Sequence, residues 1–150
     1  MDKNQSNGNT DNPDVFSGLS REELAEIFDA GRQKTIKDRA MLFCQGDPAD
    51  RCYWVKSGRL KLSRIKEDGK EITIRYIPKG EIAAVVTVLK KIAYPFTART
   101  MERTEVVGWE QSEFLKLMDR FPRITMNTLT LVLNRLDDIQ HRYTELCTEP

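Results

Sequence analysis

The clearest indication of the fold is the segment Gly58-Arg-Leu-Lys-Leu-Ser-Arg-Ile-Lys-Glu-Asp-Gly69-Lys-Glu-Ile-Thr-Ile-Arg-Tyr-Ile-Pro-Lys-Gly80. Two runs of strand-forming residues, 60–65 and 71–77, lie on either side of an Asp-Gly pair, and this arrangement is a strong signal for a β-hairpin. Because successive residues of a strand point to opposite faces, the second run presents two sets of side chains. One set is Ile72, Ile74 and Tyr76, and the other is Thr73, Arg75 and Ile77.

Glycines punctuate the chain on both sides of this hairpin. Gly46, Gly58, Gly69 and Gly80 follow one another at intervals of 11 or 12 residues. Short apolar runs fill the intervals between about residues 34 and 110. Strands with regularly spaced turns are typical of a compact antiparallel β architecture, so the sequence predicts a mainly β domain in its central part.

Helical signals flank the β region. Ser20 stands three residues before Glu23, a capping-box arrangement that predicts the start of a short helix, and Gly31 is expected to end it. Pro122 suits the first turn of a second, longer helix.

The longer helix carries an apolar stripe with intervals of three and four residues, the spacing of a two-stranded coiled-coil seam. The seam residues are Leu129, Val132, Leu136, Ile139, Tyr143 and Leu146. The other side of the helix is polar, as at Asn127 and Asn134. We therefore expect the seam to join two copies of the chain, and the alternative is a stripe that packs on the chain's own sheet.

Composition limits the classes of function. The 24 Lys and Arg residues nearly balance the 23 Asp and Glu residues, so no global charge attracts the chain to nucleic acid or to an anionic membrane. The sequence has no long apolar run, and its first 12 residues lack the apolar centre of a secretory signal, which predicts a cytoplasmic protein. Cys44, Cys52 and Cys147 form no Cys-x-x-Cys pair, and this favours reduced thiols over a disulfide framework or a zinc site.

These signals predict three segments. Residues 1–13 are rich in Asn, Gly and Ser without periodicity and are expected to form a disordered arm. Residues 14–120 are expected to form the β domain with its flanking helices. Residues 121–150 are expected to form the dimerisation helix.

The order of these elements, together with three short motifs, resembles the sensor domains of the CRP/FNR family over about residues 15–148. Phe43-Cys-Gln-Gly-Asp is similar to the first turn of the family's β-roll, Val55-Lys-Ser-Gly to the second, and Asp68-Gly-Lys-Glu to its hairpin tip. The resemblance implies an α+β, mainly β fold. Its centre is an antiparallel double-stranded, jelly-roll-like β-roll with a short N-terminal helix and a long C-terminal dimerisation helix.

The resemblance also implies a role in bacterial transcription regulation. A member of this family is expected to be a homodimer that binds a small-molecule effector and responds through a helix-turn-helix domain after the long helix. We expect that DNA-binding domain to lie outside these 150 residues, so that promoter DNA is a partner only through it and no membrane is bound.

Relatives that bind cyclic nucleotides carry a phosphate cassette, in which an Arg and backbone N–H groups hold the phosphate and a Glu holds the ribose. The small pair Thr97-Ala98 matches this cassette. Phe96 stands at the position of the phosphate Arg, and the Gly-Glu position falls near Ala84-Val85. Both charged anchors are therefore replaced, which predicts an effector other than a cyclic nucleotide.

The effector is expected between the roll and the long helix, in a pocket that suits an apolar, aromatic or planar ligand. Its predicted residues are Ala84, Val85, Val86, Phe96, Thr97, Ala98, Arg135, Asp138 and Ile139. Arg99 alternates with Ala98 and is expected to point away from this pocket. Haem is one candidate cofactor, with His141 as its possible axial ligand, and a plain surface histidine is the alternative.

Other functions compete with this hypothesis. The runner-up is a free-standing module, or one attached to an enzyme or channel, that binds cyclic nucleotide. A metal-dependent enzyme with a similar β-roll needs several histidines, and the sequence contains one. The sequence thus predicts a protein that is not an enzyme and has no dedicated metal site.

Overall fold

The structure is a computed structural model, and it describes residues 14–148. The predicted arm at residues 1–13 lies outside the described residues. The elements in chain order are α1 Arg21–Asp29, β1 Arg32–Ile36, β2 Met41–Phe43, β3 Arg51–Ser57, β4 Arg59–Ile65, β5 Glu71–Pro78, β6 Ile82–Ala83, α2 Val85–Lys90, β7 Thr97–Thr100, β8 Thr104–Glu110, α3 Gln111–Arg120 and α4 Pro122–Thr148.

The strands form two antiparallel four-stranded sheets within the compact unit Ser20–Leu117. The first sheet has the order β1-β8-β3-β6 and the second has the order β2-β7-β4-β5. Buried side chains from both sheets form one apolar core, in which Val55 and Val106 of the first sheet accompany Leu60 and Ile77 of the second. The predicted mainly β, antiparallel roll is confirmed.

The hairpin around Asp68-Gly69 is also confirmed. β4 pairs with β5 from Ile65 opposite Glu71 to Arg59 opposite Pro78. Gly69 has φ of 88°, a left-handed conformation that favours glycine, and its N–H donates to the carbonyl of Lys66 at 2.9 Å. The four evenly spaced glycines all have φ between 88° and 94°, so each marks a turn as their spacing predicted.

The helix α1 begins at the predicted capping box. The Ser20 hydroxyl accepts from the N–H of Glu23 at 3.1 Å, and the Glu23 carboxylate accepts from the N–H of Ser20 at 2.8 Å. The helix ends at Asp29 with Ala30 as its C-cap, and Gly31 follows directly, where the sequence predicted the end of the helix. Gly31 is also required for packing, since a Cβ there would lie 2.6 Å from a Val107 methyl group.

A second compact unit contains residues 14–19 and 118–148, within which α4 begins with Pro122 as predicted. Asn127, predicted on the polar outer side, is buried, and its amide donates to the carbonyls of Val15 at 2.9 Å and Ser17 at 2.7 Å. These two bonds fix the segment before α1 to α4. The predicted domain boundary near residue 120 stays a prediction. No helix in the described part of the chain has both the length and the apolar character needed to cross a bilayer.

Candidate functional site

The cassette-like segment of the roll has two parts. Residues 84–86 are at the start of α2, and residues 96–98 are at the start of β7. Ala84 precedes this helix with φ of 72° and ψ of 20°, a left-handed conformation that non-glycine residues rarely adopt. Val85, at the predicted Glu position of the cassette, is buried, while Val86 is exposed. The backbone thus makes the turn that a glycine would favour, but the side chain that follows is apolar.

The small pair of the cassette begins β7, and both of its residues are buried. Ala98 is fully buried in the apolar core, and the Thr97 hydroxyl accepts from the N–H of Gln45 at 2.9 Å. Arg99, the next residue, is exposed. Buried Ala98 and exposed Arg99 thus point to opposite faces of the sheet, as strand alternation predicted.

Phe96 belongs to an aromatic cluster at the edge of the core. Its ring centroid lies 6.3 Å from that of Phe43, which in turn stacks on Tyr94 at 3.9 Å. The Tyr94 hydroxyl donates to the carbonyl of Arg51 at 2.7 Å, and burial raises the pKa of Tyr94 above its ordinary value. At the predicted position of the phosphate Arg, the chain therefore has an aromatic side chain that packs beside Phe43.

Two residues that the sequence did not single out hold this region to the hairpin. The Gln45 side chain accepts from the N–H of Ile65 at 2.7 Å and donates to its carbonyl at 3.3 Å. The Arg64 guanidinium donates to the carbonyl of Pro95 at 3.2 Å. These contacts join residues 20 and 31 positions apart, and no local pattern predicts such pairs.

The arrangement has a clear electrostatic consequence. A cyclic nucleotide that enters the family's site would lose hydration at its phosphate, and Phe96 offers no guanidinium in return. Arg99 does not replace the missing cation, because its side chain leaves the opposite face of the sheet. The segment keeps the small residues of a cassette and offers an apolar surface.

Three of the predicted pocket residues lie on α4. Arg135 is partly buried, whereas Asp138 and Ile139 are exposed. Whether they approach the roll residues stays a prediction.

His141 is exposed and shares its side of α4 with Asp137 and Glu145. This polar setting does not fit haem, whose porphyrin needs apolar walls around an axial ligand. Among residues 14–148, no group of three His, Cys, Asp or Glu side chains is placed to hold a metal ion.

A cavity of about 440 Å³ opens beside the C-terminal end of α2. Its lining residues are Gly46, Pro48, Ala49, Asp50, Val88, Lys91, Ile92, Ala93 and Gln111. None of the six predicted roll residues belongs to this lining, so the cavity is distinct from the cassette-like segment.

The cysteines differ in their surroundings. Cys52 is fully buried, and this burial raises the pKa of its thiol to about 12. Cys44 is partly buried and Cys147 is exposed, and all three thiols are free. A thiol with such a high pKa stays protonated at neutral pH, so Cys52 is an apolar core residue and not a nucleophile.

The fold is an antiparallel β-roll, and the side chains at its predicted cassette positions are uncharged. The sequence profile of the "Cyclic nucleotide-binding domain" matches residues 33–121. The chain belongs to this family. Its homology to regulators of the CRP/FNR group agrees with the resemblance seen in its motifs.

Individual relatives support the same assignment. The "Cyclic AMP receptor protein" of Thermus thermophilus is 27% identical over 122 residues, which cover 81% of this chain and 56% of that protein. The crystal structure of the Thermus thermophilus catabolite activator protein superposes with a TM-score of 0.82 and 26% identity, covering 89% of this chain and 62% of that one. This chain therefore spans little more than half the length of the relative.

The same domain also occurs in a different context. Lysophospholipase nte1 of Aspergillus terreus is 28% identical over 102 residues, which cover 68% of this chain but 7% of that protein. The β-roll is thus a small module of a much larger protein in that case.

Proposed function

We propose that this chain is the effector-sensing and dimerising part of a CRP/FNR-type transcription regulator. The observation that carries the proposal is the exposed apolar seam on α4, which follows the β-roll in the chain as a dimerisation helix would. In such a regulator the effector changes the geometry of the paired helices, and attached helix-turn-helix domains respond. A switch of this kind requires the effector to bind one of two states more tightly.

The seam is the proposed dimer interface. Its six residues are all exposed, and the exposed fraction rises from 36% at Val132 to 73% at Leu146. A continuous apolar stripe on a helix surface is unfavourable in water, and pairing two such stripes removes both from solvent. The interface residues are Leu129, Val132, Leu136, Ile139, Tyr143 and Leu146.

The proposed effector is a ligand with less negative charge than a cyclic nucleotide. Phe96 and Val85 support this choice, because an aromatic or aliphatic ligand gains roughly 25 cal/mol for each Å² of apolar surface that it buries against them. The proposed pocket combines roll residues with helix residues. They are Ala84, Val85, Val86, Phe96, Thr97, Ala98, Arg135, Asp138 and Ile139.

The second candidate function is a regulatory module attached to an enzyme. The occurrence of the same domain in a lysophospholipase favours it. In either case we assign no catalytic role to this chain. For the regulator we propose a cytoplasmic location. We propose that a domain outside these residues binds the promoter DNA there.

Native mass spectrometry of the purified chain tests the proposal. We expect the mass of two chains. Any small molecule that co-purifies should be apolar or aromatic and free of phosphate. An absorption spectrum of the same sample reports directly whether haem is bound. A monomer under conditions where the chain is folded would contradict the dimer. A bound cyclic nucleotide would contradict the effector class and favour the second candidate.

A further inference from the structure

The outer face of the β2-β7-β4-β5 sheet carries apolar and cationic side chains in adjacent positions. In the strand register, Met41 is opposite Arg99, Arg99 is opposite Lys61, and Lys61 is opposite Tyr76. Directly paired residues of neighbouring strands lie on the same face, so these four side chains form one row across all four strands. We call this row, together with Arg59 and Ile74, the basic-apolar face.

This face is open to solvent. Met41 is 49% exposed, Ile74 is 47% exposed and Tyr76 is 46% exposed, and Arg59 and Arg99 are exposed as well. The residues that alternate with the row point into the core, as fully buried Ala98 does. Three large apolar side chains therefore remain in water in one small region of the sheet, which is a feature of interaction surfaces.

The cations of the face have no carboxylate partner within the described residues. Arg59, Lys61 and Arg99 take no part in the ion pairs Arg51–Glu110, Arg75–Glu81 and Arg103–Glu105 of the described part of the chain. The guanidinium of Arg59 lies 5.4 Å from the ring centre of Tyr76, so this cation stacks on an aromatic ring and keeps its N–H donors for other groups. Three cations thus converge in a chain whose net charge is only +1.

We propose that the basic-apolar face binds an acidic amphipathic segment of another protein. Carboxylates of that segment would pair with Arg59, Lys61 and Arg99, and its apolar side chains would cover Met41 and Ile74. Because the face is positively charged, charge complementarity requires a negatively charged partner. The apolar residues favour a protein over nucleic acid, because phosphate contacts would leave them in water. This partner goes beyond the effector, the second copy and the promoter DNA of the proposed function.

The test uses the whole chain and three synthetic peptides. The first is an amphipathic helix-forming peptide of Leu and Glu, the second has Lys in place of Glu, and the third has Ser in place of Leu. Binding is measured by fluorescence anisotropy at low and physiological salt. We expect the Leu/Glu peptide to bind at least tenfold more tightly than either other peptide, and we expect salt to weaken that binding.

Two double variants locate the site. Lys61→Glu with Arg99→Glu should weaken binding of the Leu/Glu peptide at least tenfold, while Lys56→Glu with Lys116→Glu, which changes the net charge equally at exposed lysines elsewhere, should not. Circular dichroism confirms that both variants fold.

Three results would overturn the inference. Equal weakening by both double variants would show a non-specific charge effect, and absence of Leu/Glu peptide binding would show that the face does not recognise this chemistry. If the first variant instead loses binding to duplex DNA, or loses the dimer, a nucleic acid or a second copy covers the face.

Discussion

Replacing Leu136 and Ile139 together by aspartate is expected to convert the proposed dimer into a monomer. In a two-fold symmetric interface each substitution occurs twice, so four apolar side chains leave the seam and four carboxylates enter it. Burial of one such side chain contributes roughly 1.5–3 kcal/mol, so the dissociation constant of the dimer should rise by at least about 10⁴-fold. Sedimentation equilibrium over a wide concentration range measures this change.

Leu115 provides a matched control for the seam. It is 46% exposed on α3, nearly the same as the 47% of Leu136, but it does not belong to the seam. Leu115→Asp should therefore leave the dimer mass unchanged. A double seam variant that keeps the dimer mass would show that the chains associate through another surface.

Trp109→Ala is expected to lower the free energy of unfolding by about 3–5 kcal/mol, the range for removing a large buried aromatic side chain. The Trp109 indole is fully buried, and its ring centroid lies 5.9 Å from Phe114 and 6.3 Å from Phe28. Its Nε1–H donates to the carbonyl of Ile27 at 3.0 Å. This one side chain therefore packs α1 and α3 against β8. Chemical denaturation followed by circular dichroism measures the loss.

Trp109→Phe separates packing from hydrogen bonding. Phenylalanine keeps most of the ring contacts and leaves the Ile27 carbonyl without its donor, so we expect a smaller loss of about 1–3 kcal/mol. If Trp109→Ala costs less than about 1 kcal/mol, the packing of Trp109 does not hold these elements together.

Local sequence signals predicted the local features of the fold. The Asp68-Gly69 turn depends on a left-handed glycine between two strands, and the start of α1 depends on a bond between residues three apart, so both are encoded within a few positions. The seam on α4 is likewise a local periodicity. The family resemblance then supplied the roll topology, which the hairpin alone does not determine.

Features that depend on distant partners were not predicted. The polarity of Asn127 indicated solvent, but the carbonyls of Val15 and Ser17, more than a hundred positions away, satisfy its buried amide. The bonds from Gln45 to Ile65 have the same character. Ala84 shows a further limit, because its left-handed backbone is imposed by the turn between β6 and α2 and contradicts the preference of alanine.

For the candidate site, the alignment through Thr97-Ala98 placed the replaced cassette residues at Phe96 and near Ala84-Val85, and this assignment stays a prediction. The direction of Arg99 followed from strand alternation, and its exposure agrees with that direction. That Arg135, Asp138 and Ile139 of α4 belong to the same pocket as the roll residues stays a prediction, since α4 and the roll belong to different compact units. No periodicity in either unit specifies that arrangement.

Calorimetric titration of the chain with cyclic AMP and cyclic GMP measures whether the predicted effector site excludes cyclic nucleotides. We expect no binding tighter than about 0.1 mM, which corresponds to about −5.5 kcal/mol, because the phosphate would meet Phe96 where the family has an arginine. Micromolar binding would contradict it. If Arg99→Ala then abolished that binding, Arg99 would be the residue that holds the phosphate, and the assignment of the site would be wrong.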